Sequence, residues 1–148
     1  MNTEIKSAAG ALFVCANSRR CLLNLRSATK THRLTWSLWG GMLESGETPA
    51  QALFREISEE MGTVDIARTH AFDVYETRNQ EFRYYSFVCV VEQEFAPVIN
   101  TEAAGWGWFD FGVWPTPLHQ GVRGTFATRR GEAMLSIIMD QHQAMGDK

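Results

Sequence analysis

The sequence predicts a mixed α+β fold built as one domain over residues 1–148. Runs of strand-forming residues dominate its middle, and helix-like segments lie on either side of them. Hydrophobic residues make up 45% of the chain, which is enough to bury a sizeable core. A length of 148 residues suits one domain and leaves little room for two. Because no repeat, linker or low-complexity tract divides the chain, we expect a single folding unit.

The strands are predicted from aliphatic, β-branched and aromatic runs that end at turn-forming residues. They are Ser7–Ala16, Cys21–Arg26, Ala71–Thr77, Phe82–Glu92 and Gly105–Asp110, with an aromatic and glycine-rich segment at Trp36–Gly41. Only Arg78–Glu81 joins the third of these strands to the fourth, so we expect that pair to be antiparallel neighbours. Helical patterns predict one helix over Pro49–Met61 and a last helix over about Arg129–Gln143.

Charge restricts the possible partners. Lys and Arg number 14 against 17 Asp and Glu, which makes the net charge −3. A mildly acidic chain lacks the broad basic surface of a protein that binds duplex nucleic acid. Small phosphate-bearing molecules stay possible, because a bound cation reverses the local sign of charge.

Cysteine usage and hydropathy predict a cytoplasmic protein. Cys15, Cys21 and Cys89 are odd in number and have no CxxC spacing, so we interpret them as reduced thiols. No apolar run approaches the ~20 residues that cross a bilayer, so we expect no membrane partner. The segment Ala8–Ala16 resembles a short signal-peptide core, but Glu4 spoils the basic flank and we interpret it as a strand.

The helix over Pro49–Met61 has a start and a stop that the sequence specifies. Thr48 suits the N-cap, Pro49 the first helical position, and Gln51 completes a T-x-x-Q capping box. Gly62 is well placed to end the helix. At about 100° per residue, one arc contains the expected buried face: Ala50, Leu53, Phe54, Ile57 and Met61. Another arc, expected on the opposite side, contains Glu56, Glu59 and Glu60.

Three carboxylates on one helix face permit two interpretations. The simpler one is a solvated helix face, which charge patterns usually indicate. Glu56 and Glu60 are nevertheless like charges at i,i+4, which destabilises a helix unless a cation is present. Mg²⁺ binds carboxylate and carbonyl oxygens, and the preceding Gly40-Gly41 leaves a backbone carbonyl free to join them. Glu47 lies eight residues before Arg55, so we expect these two to pair and tie the loop to the helix.

These residues together form a recognisable pattern. It runs over 23 residues as GMLESGETPAQALFREISEEMGT, with fixed positions at Gly41, Glu47, Arg55, Glu56, Glu59, Glu60 and Gly62. The pattern resembles the signature box of the Nudix hydrolases, the MutT-like family. Two positions depart from it: Thr63 stands where a bulky aliphatic residue is usual, and Trp39 precedes Gly40-Gly41 where many members have Pro.

The resemblance implies an α/β/α sandwich around a mixed sheet, and Mg²⁺-dependent (or Mn²⁺-dependent) hydrolysis of a diphosphate bond in a nucleoside diphosphate-linked molecule. By position, it implies that Glu56, Glu59 and Glu60 are metal ligands together with the carbonyl of Gly40. Gly41, Glu47, Arg55 and Gly62 would be the structural residues of the box.

The resemblance does not single out one residue as the general base, and it leaves the substrate-binding residues open. It offers Glu102, in the loop before the last strand, or Glu59 within the box as the acceptor of the water proton. Arg26 stands where relatives place a substrate-binding residue, and Trp36 is a candidate to stack on a nucleobase. Both are also readily explained as a surface arginine and a packed aromatic.

No mark of a particular subfamily is present, which favours a (d)NTP or a modified nucleotide as the substrate. Nucleoside diphosphate sugars, dinucleoside polyphosphates and capped RNA are the alternative substrates. A non-catalytic nucleotide sensor on the same fold is the alternative function, although such proteins tend to lose one of the box carboxylates. We expect a monomer or a homodimer.

Overall fold

The computed structural model describes residues 5–146, and it contains seven strands and three helices within that range. The strands are β1 (Lys6–Cys15), β2 (Arg20–Arg26), β3 (Trp36–Ser37), β4 (Trp39–Met42), β5 (Arg68–Glu76), β6 (Phe82–Val91) and β7 (Ala103–Asp110). The helices are α1 (Pro49–Met61), α2 (Gln120–Arg123) and α3 (Arg129–Gly146). The predicted single domain also included residues 1–4 and 147–148, which lie outside the described part of the chain.

All seven strands belong to one mixed sheet with β1 at its centre. The main order is β3-β2-β1-β6-β5, while β4 pairs with β1 and β7 pairs with β2. The first half of β1 is antiparallel to β4 and its end is antiparallel to β2, whereas β6 runs parallel along its whole length. β5 and β6 are the antiparallel neighbours that the short connection predicts.

Side chains of β1 alternate between two hydrophobic layers, as successive residues of a strand must. Ala9, Ala11 and Phe13 pack with Leu53, Ile57 and Met61 of α1. Leu12 and Val14 face the other way and pack with Val122 of α2 and with Leu135 and Met139 of α3. The sheet is therefore covered by α1 on one face and by α2 and α3 on the other, which confirms the predicted α/β/α sandwich.

The predicted strands are present, but several boundaries differ. β5 begins at Arg68 rather than Ala71; its first residues are polar and mostly exposed on an edge strand, so they give no apolar alternation from which to predict a strand. The segment Trp36–Gly41 is two short strands interrupted at Leu38, and the last strand begins at Ala103 rather than Gly105. The sequence reading also missed α2, which has only four residues.

Helix α1 has the predicted ends. The Thr48 hydroxyl accepts a hydrogen bond from the Gln51 N–H at 3.2 Å, and the Gln51 side-chain oxygen accepts one from the Thr48 N–H at 2.9 Å. Gly62 adopts a positive φ of 77° and donates its N–H to the Ser58 carbonyl, which ends the helix.

The expected faces of α1 are wrong in part. Ala50 and Phe54 are exposed, Phe54 to 44%, whereas the packed residues are Ala52, Leu53, Ile57 and Met61. The buried arc is thus rotated by about 60° from the predicted one, toward the carboxylates. Glu56 and Glu60 consequently lie at the edge of the packed face, and not on the opposite side of the helix.

Cys15, Cys21 and Cys89 are free thiols, and all three are buried. None of the helices within residues 5–146 combines the length and the apolar composition needed to cross a lipid bilayer.

Candidate active site

The rotated packing of α1 brings Glu60 against strand β4. The Gly40 N–H donates a hydrogen bond of 2.7 Å to Oε1 of Glu60. Burial raises the pKa of Glu60 to about 8, and the negative charges of Glu56 and Glu102 act in the same direction, while the Gly40 N–H opposes them. Glu60 is therefore a partly buried carboxyl group that ionises most readily when a positive charge comes close.

Glu56 lies directly against the backbone of Gly41. A Cβ added to Gly41 would stand 2.6 Å from Cδ of Glu56, so any larger residue here would push the Glu56 carboxylate out of its observed position. At Gly40 an added Cβ would overlap the carbonyl oxygen of Ala9 on β1. Two adjacent glycines thus let β4 fit between the central strand and the carboxylates of α1.

Glu47 and Arg55 form an ion pair that contains two hydrogen bonds. Arg55 Nε donates to Glu47 Oε2 at 2.8 Å, and Nη2 donates to Glu47 Oε1 at 3.0 Å. Nη2 also donates to the Met42 carbonyl at 3.0 Å, so the same guanidinium holds the end of β4. The hydrogen bonds from Arg55 and from the Glu44 N–H lower the pKa of Glu47. Arg55 therefore ties the glycine loop to the helix.

The remaining nitrogen of Arg55 faces the candidate metal ligands. Nη1 donates to Glu56 Oε1 at 2.9 Å and lies 3.4 Å from both carboxylate oxygens of Glu59. The Glu59 side chain is 57% exposed. Hydrogen bonds to Glu47 and Glu56 raise the pKa of Arg55, so the guanidinium is a permanent positive charge beside the acids.

The donor set fits a hard divalent cation in its chemistry. Carboxylate and carbonyl oxygens are the ligands that Mg²⁺ and Mn²⁺ prefer, and α1 supplies three carboxylates within five residues of sequence. As the side chains stand, no three His, Cys, Asp or Glu residues within residues 5–146 converge closely enough to hold a metal ion. Glu56 and Glu59 are turned toward Arg55, so binding a cation requires at least one of them to rotate.

The loop before β7 reaches the end of α1. Asn100 Nδ2 donates to the Glu59 carbonyl at 2.9 Å, and the Glu102 N–H donates to Asn100 Oδ1 at 2.8 Å. The Glu102 carboxylate lies 3.5 Å from Lys30 Nζ, and its charge contributes to the raised pKa of Glu60. The structure thus brings Glu102 to the same end of the helix as Glu59 and Glu60.

Arg26 and Trp36 have contacts of their own. Arg26 donates from Nε to the Thr31 carbonyl at 2.8 Å and from Nη2 to the Thr31 hydroxyl at 3.2 Å. Trp36 packs edge-on against Phe109, with 4.9 Å between ring centroids, and belongs to the hydrophobic layer on the α3 face. Within residues 5–146 neither side chain hydrogen-bonds to the acidic cluster. Their roles in substrate binding stay predictions.

Two residues at this site were missed by reasoning from sequence. Asn100 had one local signal, because an asparagine two residues before Glu102 is suited to accept its backbone N–H. Its bond to Glu59 spans 41 residues and has no sequence signal. Lys30 pairs with Glu102 although the two residues are still farther apart along the chain, and only the fold brings them together.

Comparison with known proteins decides the family. The family model described as NUDIX domain matches residues 5–128. This chain belongs to the Nudix family. The predicted resemblance is thereby confirmed, and this Nudix protein is a hydrolase of the pyrophosphatase type. The family acts on small nucleoside diphosphate-linked substrates and generally uses divalent metals.

Solved structures agree in fold. A MutT Nudix hydrolase from Burkholderia pseudomallei is 25% identical with a TM-score of 0.65, over 81% of this chain and 94% of that one. A Nudix hydrolase from M. smegmatis is 20% identical with a TM-score of 0.67, over 94% and 87%. A bifunctional NMN adenylyltransferase/ADP-ribose pyrophosphatase from Francisella tularensis is 22% identical with a TM-score of 0.56, over 84% and 37%. The last two show likeness of fold alone. A comparison with curated proteins gives no match.

Proposed function

We propose that this Nudix hydrolase cleaves a diphosphate bond in a (d)NTP or a modified nucleotide, with Mg²⁺ as its cofactor and Mn²⁺ as a possible substitute. The observation that carries the proposal is the partly buried carboxyl group of Glu60, bonded to the Gly40 N–H beside Glu56. A buried acid next to further acids is an arrangement that a protein keeps where a cation is to bind.

The metal would be held by Glu56, Glu59 and Glu60, together with the carbonyl oxygen of Gly40. When bound, it neutralises the diphosphate and makes a coordinated water easier to deprotonate. The contacts of Gly40 and Gly41 with these carboxylates support the assignment. Glu47 and Arg55 hold the loop on the helix, and Gly62 ends the helix just after the last ligand.

Glu102 is the candidate that accepts the proton of the attacking water, and Glu59 is the alternative. Glu102 has the geometry of a group that approaches from outside the helix: its loop is tied to α1, while its side chain is 52% exposed. Lys30 Nζ lies 3.5 Å from this carboxylate and holds it beside the loop after β2. Arg26 and Trp36 remain the candidates for contact with the nucleotide.

A nucleotide sensor without catalysis is the competing function, and all three box carboxylates would be free to change in such a protein. Their presence supports catalysis. Sugar nucleotides, dinucleoside polyphosphates and capped RNA are the competing substrates. The net charge of −3 disfavours the last of these, since RNA contacts need a basic surface. We also propose one domain over residues 1–148, a monomer or homodimer, and a cytoplasmic location consistent with the free thiols.

The test is a screen in which the protein meets dNTPs, oxidised dNTPs, sugar nucleotides, dinucleoside polyphosphates and capped RNA, each with Mg²⁺, Mn²⁺ or EDTA, and the products are separated by anion-exchange chromatography. We expect metal-dependent hydrolysis of one of the nucleoside triphosphates to its nucleoside monophosphate and pyrophosphate. Glu59→Gln should lower that kcat by about 100-fold or more while the far-ultraviolet circular dichroism is unchanged. Glu81→Gln, an exposed acid in the β5–β6 turn, is the matched control and should leave kcat unchanged. Near-normal turnover by Glu59→Gln would contradict the metal assignment.

A further inference from the structure

Asn100 forms the link between the loop of Glu102 and helix α1. Its amide group uses both ends: Nδ2 donates to the Glu59 carbonyl at 2.9 Å, and Oδ1 accepts the Glu102 N–H at 2.8 Å. One short side chain thereby joins the backbone of a proposed metal ligand to the backbone of the candidate base. Neither bond involves a carboxylate, so the link holds positions and leaves the reacting groups free.

The bond to Glu59 satisfies a group that the helix itself leaves unpaired. The last four carbonyls of an α-helix have no partner within it. At the end of α1, the Ser58 carbonyl accepts the Gly62 N–H, and the Met61 carbonyl accepts the Val98 N–H at 3.4 Å. Asn100 takes the Glu59 carbonyl between them. Residues 98–100 therefore cap the helix end that carries Glu59 and Glu60.

The other half of the link shapes the loop. A hydrogen bond from the Glu102 N–H to the Asn100 side chain closes a turn over residues 100–102. The Glu102 carbonyl accepts the Ser27 N–H at 3.1 Å, and Lys30 holds the carboxylate at 3.5 Å. Those two contacts join Glu102 to the loop after β2. The Asn100 side chain provides the contact between Glu102 and α1.

We infer that Asn100 is a positioning residue that holds Glu102 in register with the carboxylates of α1 for hydrolysis. The inference rests on the proposed function and adds to it a residue that touches neither metal nor substrate. Holding a reacting group in place contributes strongly to rate, so a loop freed by one lost side chain loses turnover while substrate affinity is kept.

The chain contains a matched control. Asn79 in the β5–β6 turn makes the same kind of bond, with its Oδ1 accepting the Glu81 N–H at 3.1 Å, and the hydrogen bonds of its side chain stay within residues 77–81. Asn100→Ala removes both bonds of the link. Asn79→Ala removes a turn of the same type without touching the site.

The experiment measures kcat and KM on the best substrate of the screen for wild type, Asn100→Ala, Glu102→Gln, the double variant and Asn79→Ala. We expect Asn100→Ala to lower kcat by about 10-fold or more, with KM within about 3-fold of wild type. The double variant should be no slower than Glu102→Gln alone, because Asn100 then has nothing left to position. Asn79→Ala should match wild type.

A second readout does not depend on turnover. Amide hydrogen exchange by mass spectrometry should show faster exchange over residues 98–105 in Asn100→Ala and unchanged exchange over residues 77–83, with the reverse in Asn79→Ala. Mn²⁺ binding, followed by the free-ion electron paramagnetic resonance signal, should stay within about 2-fold of wild type in Asn100→Ala, because no carboxylate loses a partner.

Three results would overturn the inference, and they differ in what they say of the proposed function. Losses that multiply in the double variant would mean that Asn100 acts on the helix end and not through Glu102. A Glu102→Gln variant with normal kcat would leave Asn100 with no base to position, while the proposed hydrolysis still stands. Absence of turnover by the wild type on every substrate would refute the proposed function itself.

Discussion

The carboxyl group of Glu60 accepts a 2.7 Å hydrogen bond from the Gly40 N–H at the edge of the packed face of α1. Burial there raises its pKa to about 8, so the metal-free protein holds Glu60 protonated at neutral pH. The ionised form of Glu60 is unfavourable in this environment unless a cation lies beside it. A proton and a cation therefore compete for the carboxylate of Glu60.

Glu60→Gln tests this through the pH dependence of unfolding in EDTA. The folded pKa of about 8 exceeds the value of 4.5 for an ordinary glutamate, so the folded state binds more protons than the unfolded state between these pH values. Stability from this group is fully present below pH 4.5 and is lost as pH rises through 8. We expect the wild-type free energy of unfolding, measured with urea, to fall by an amount on the order of a few kcal/mol over this range.

The Gln variant should be flatter over the same range and more stable than wild type at pH 9, since it can still accept the Gly40 N–H and has no charge to bury. Equal pH slopes for wild type and variant between pH 5 and 9 would contradict the assignment.

Arg55→Lys tests the tie between loop and helix. Lysine cannot form the two parallel bonds that Arg55 makes with Glu47, nor reach Met42 and Glu56 at the same time. We expect kcat to fall by about 10-fold or more, with a small drop in the melting temperature. Arg83→Lys is the control, because Arg83 makes an ion pair of 3.0 Å with Glu76 on the β5–β6 pair and should tolerate the change. Equal kcat for both variants would show that the tie does not matter for catalysis.

Gly41→Ala tests the close approach between β4 and α1. An added methyl group would stand 2.6 Å from the Glu56 carboxyl carbon, so the carboxylate must move away. We expect Mn²⁺ affinity and kcat each to fall by about 10-fold or more. Gly105→Ala is the matched control, since nothing lies within 4 Å of an added Cβ there. An unchanged Mn²⁺ affinity in Gly41→Ala would remove Glu56 from the set of ligands.

Local rules explain why α1 was predictable and why its orientation was only partly so. Thr48, Gln51 and Gly62 define the ends of the helix through bonds within a few residues, and those bonds are present. Which face packs depends on the sheet beneath it. Ala50 and Phe54 satisfy the helical period as well as Ala52 does, and only the position of β1 and β4 decides between them.

The rest of the site depends on contacts across the fold. Glu102 was suggested by its place in the resemblance, but its partners Asn100, Ser27 and Lys30 come from a loop and a strand end that no periodicity brings together. The added residues of β5 escaped prediction for the opposite reason. Arg68 and Thr69 are exposed at the edge of the sheet, where pairing with β6 and not hydrophobic burial makes them a strand.

The guanidinium of Arg55 lies within 4 Å of four glutamates: Glu44, Glu47, Glu56 and Glu59. One positive charge is thereby divided among four negative ones, and the polypeptide offers this corner much less counter-charge than its acids require. Electrical neutrality at α1 must come from ions of the surrounding solution. We therefore expect the stability of α1 to depend on the cations present in the solution.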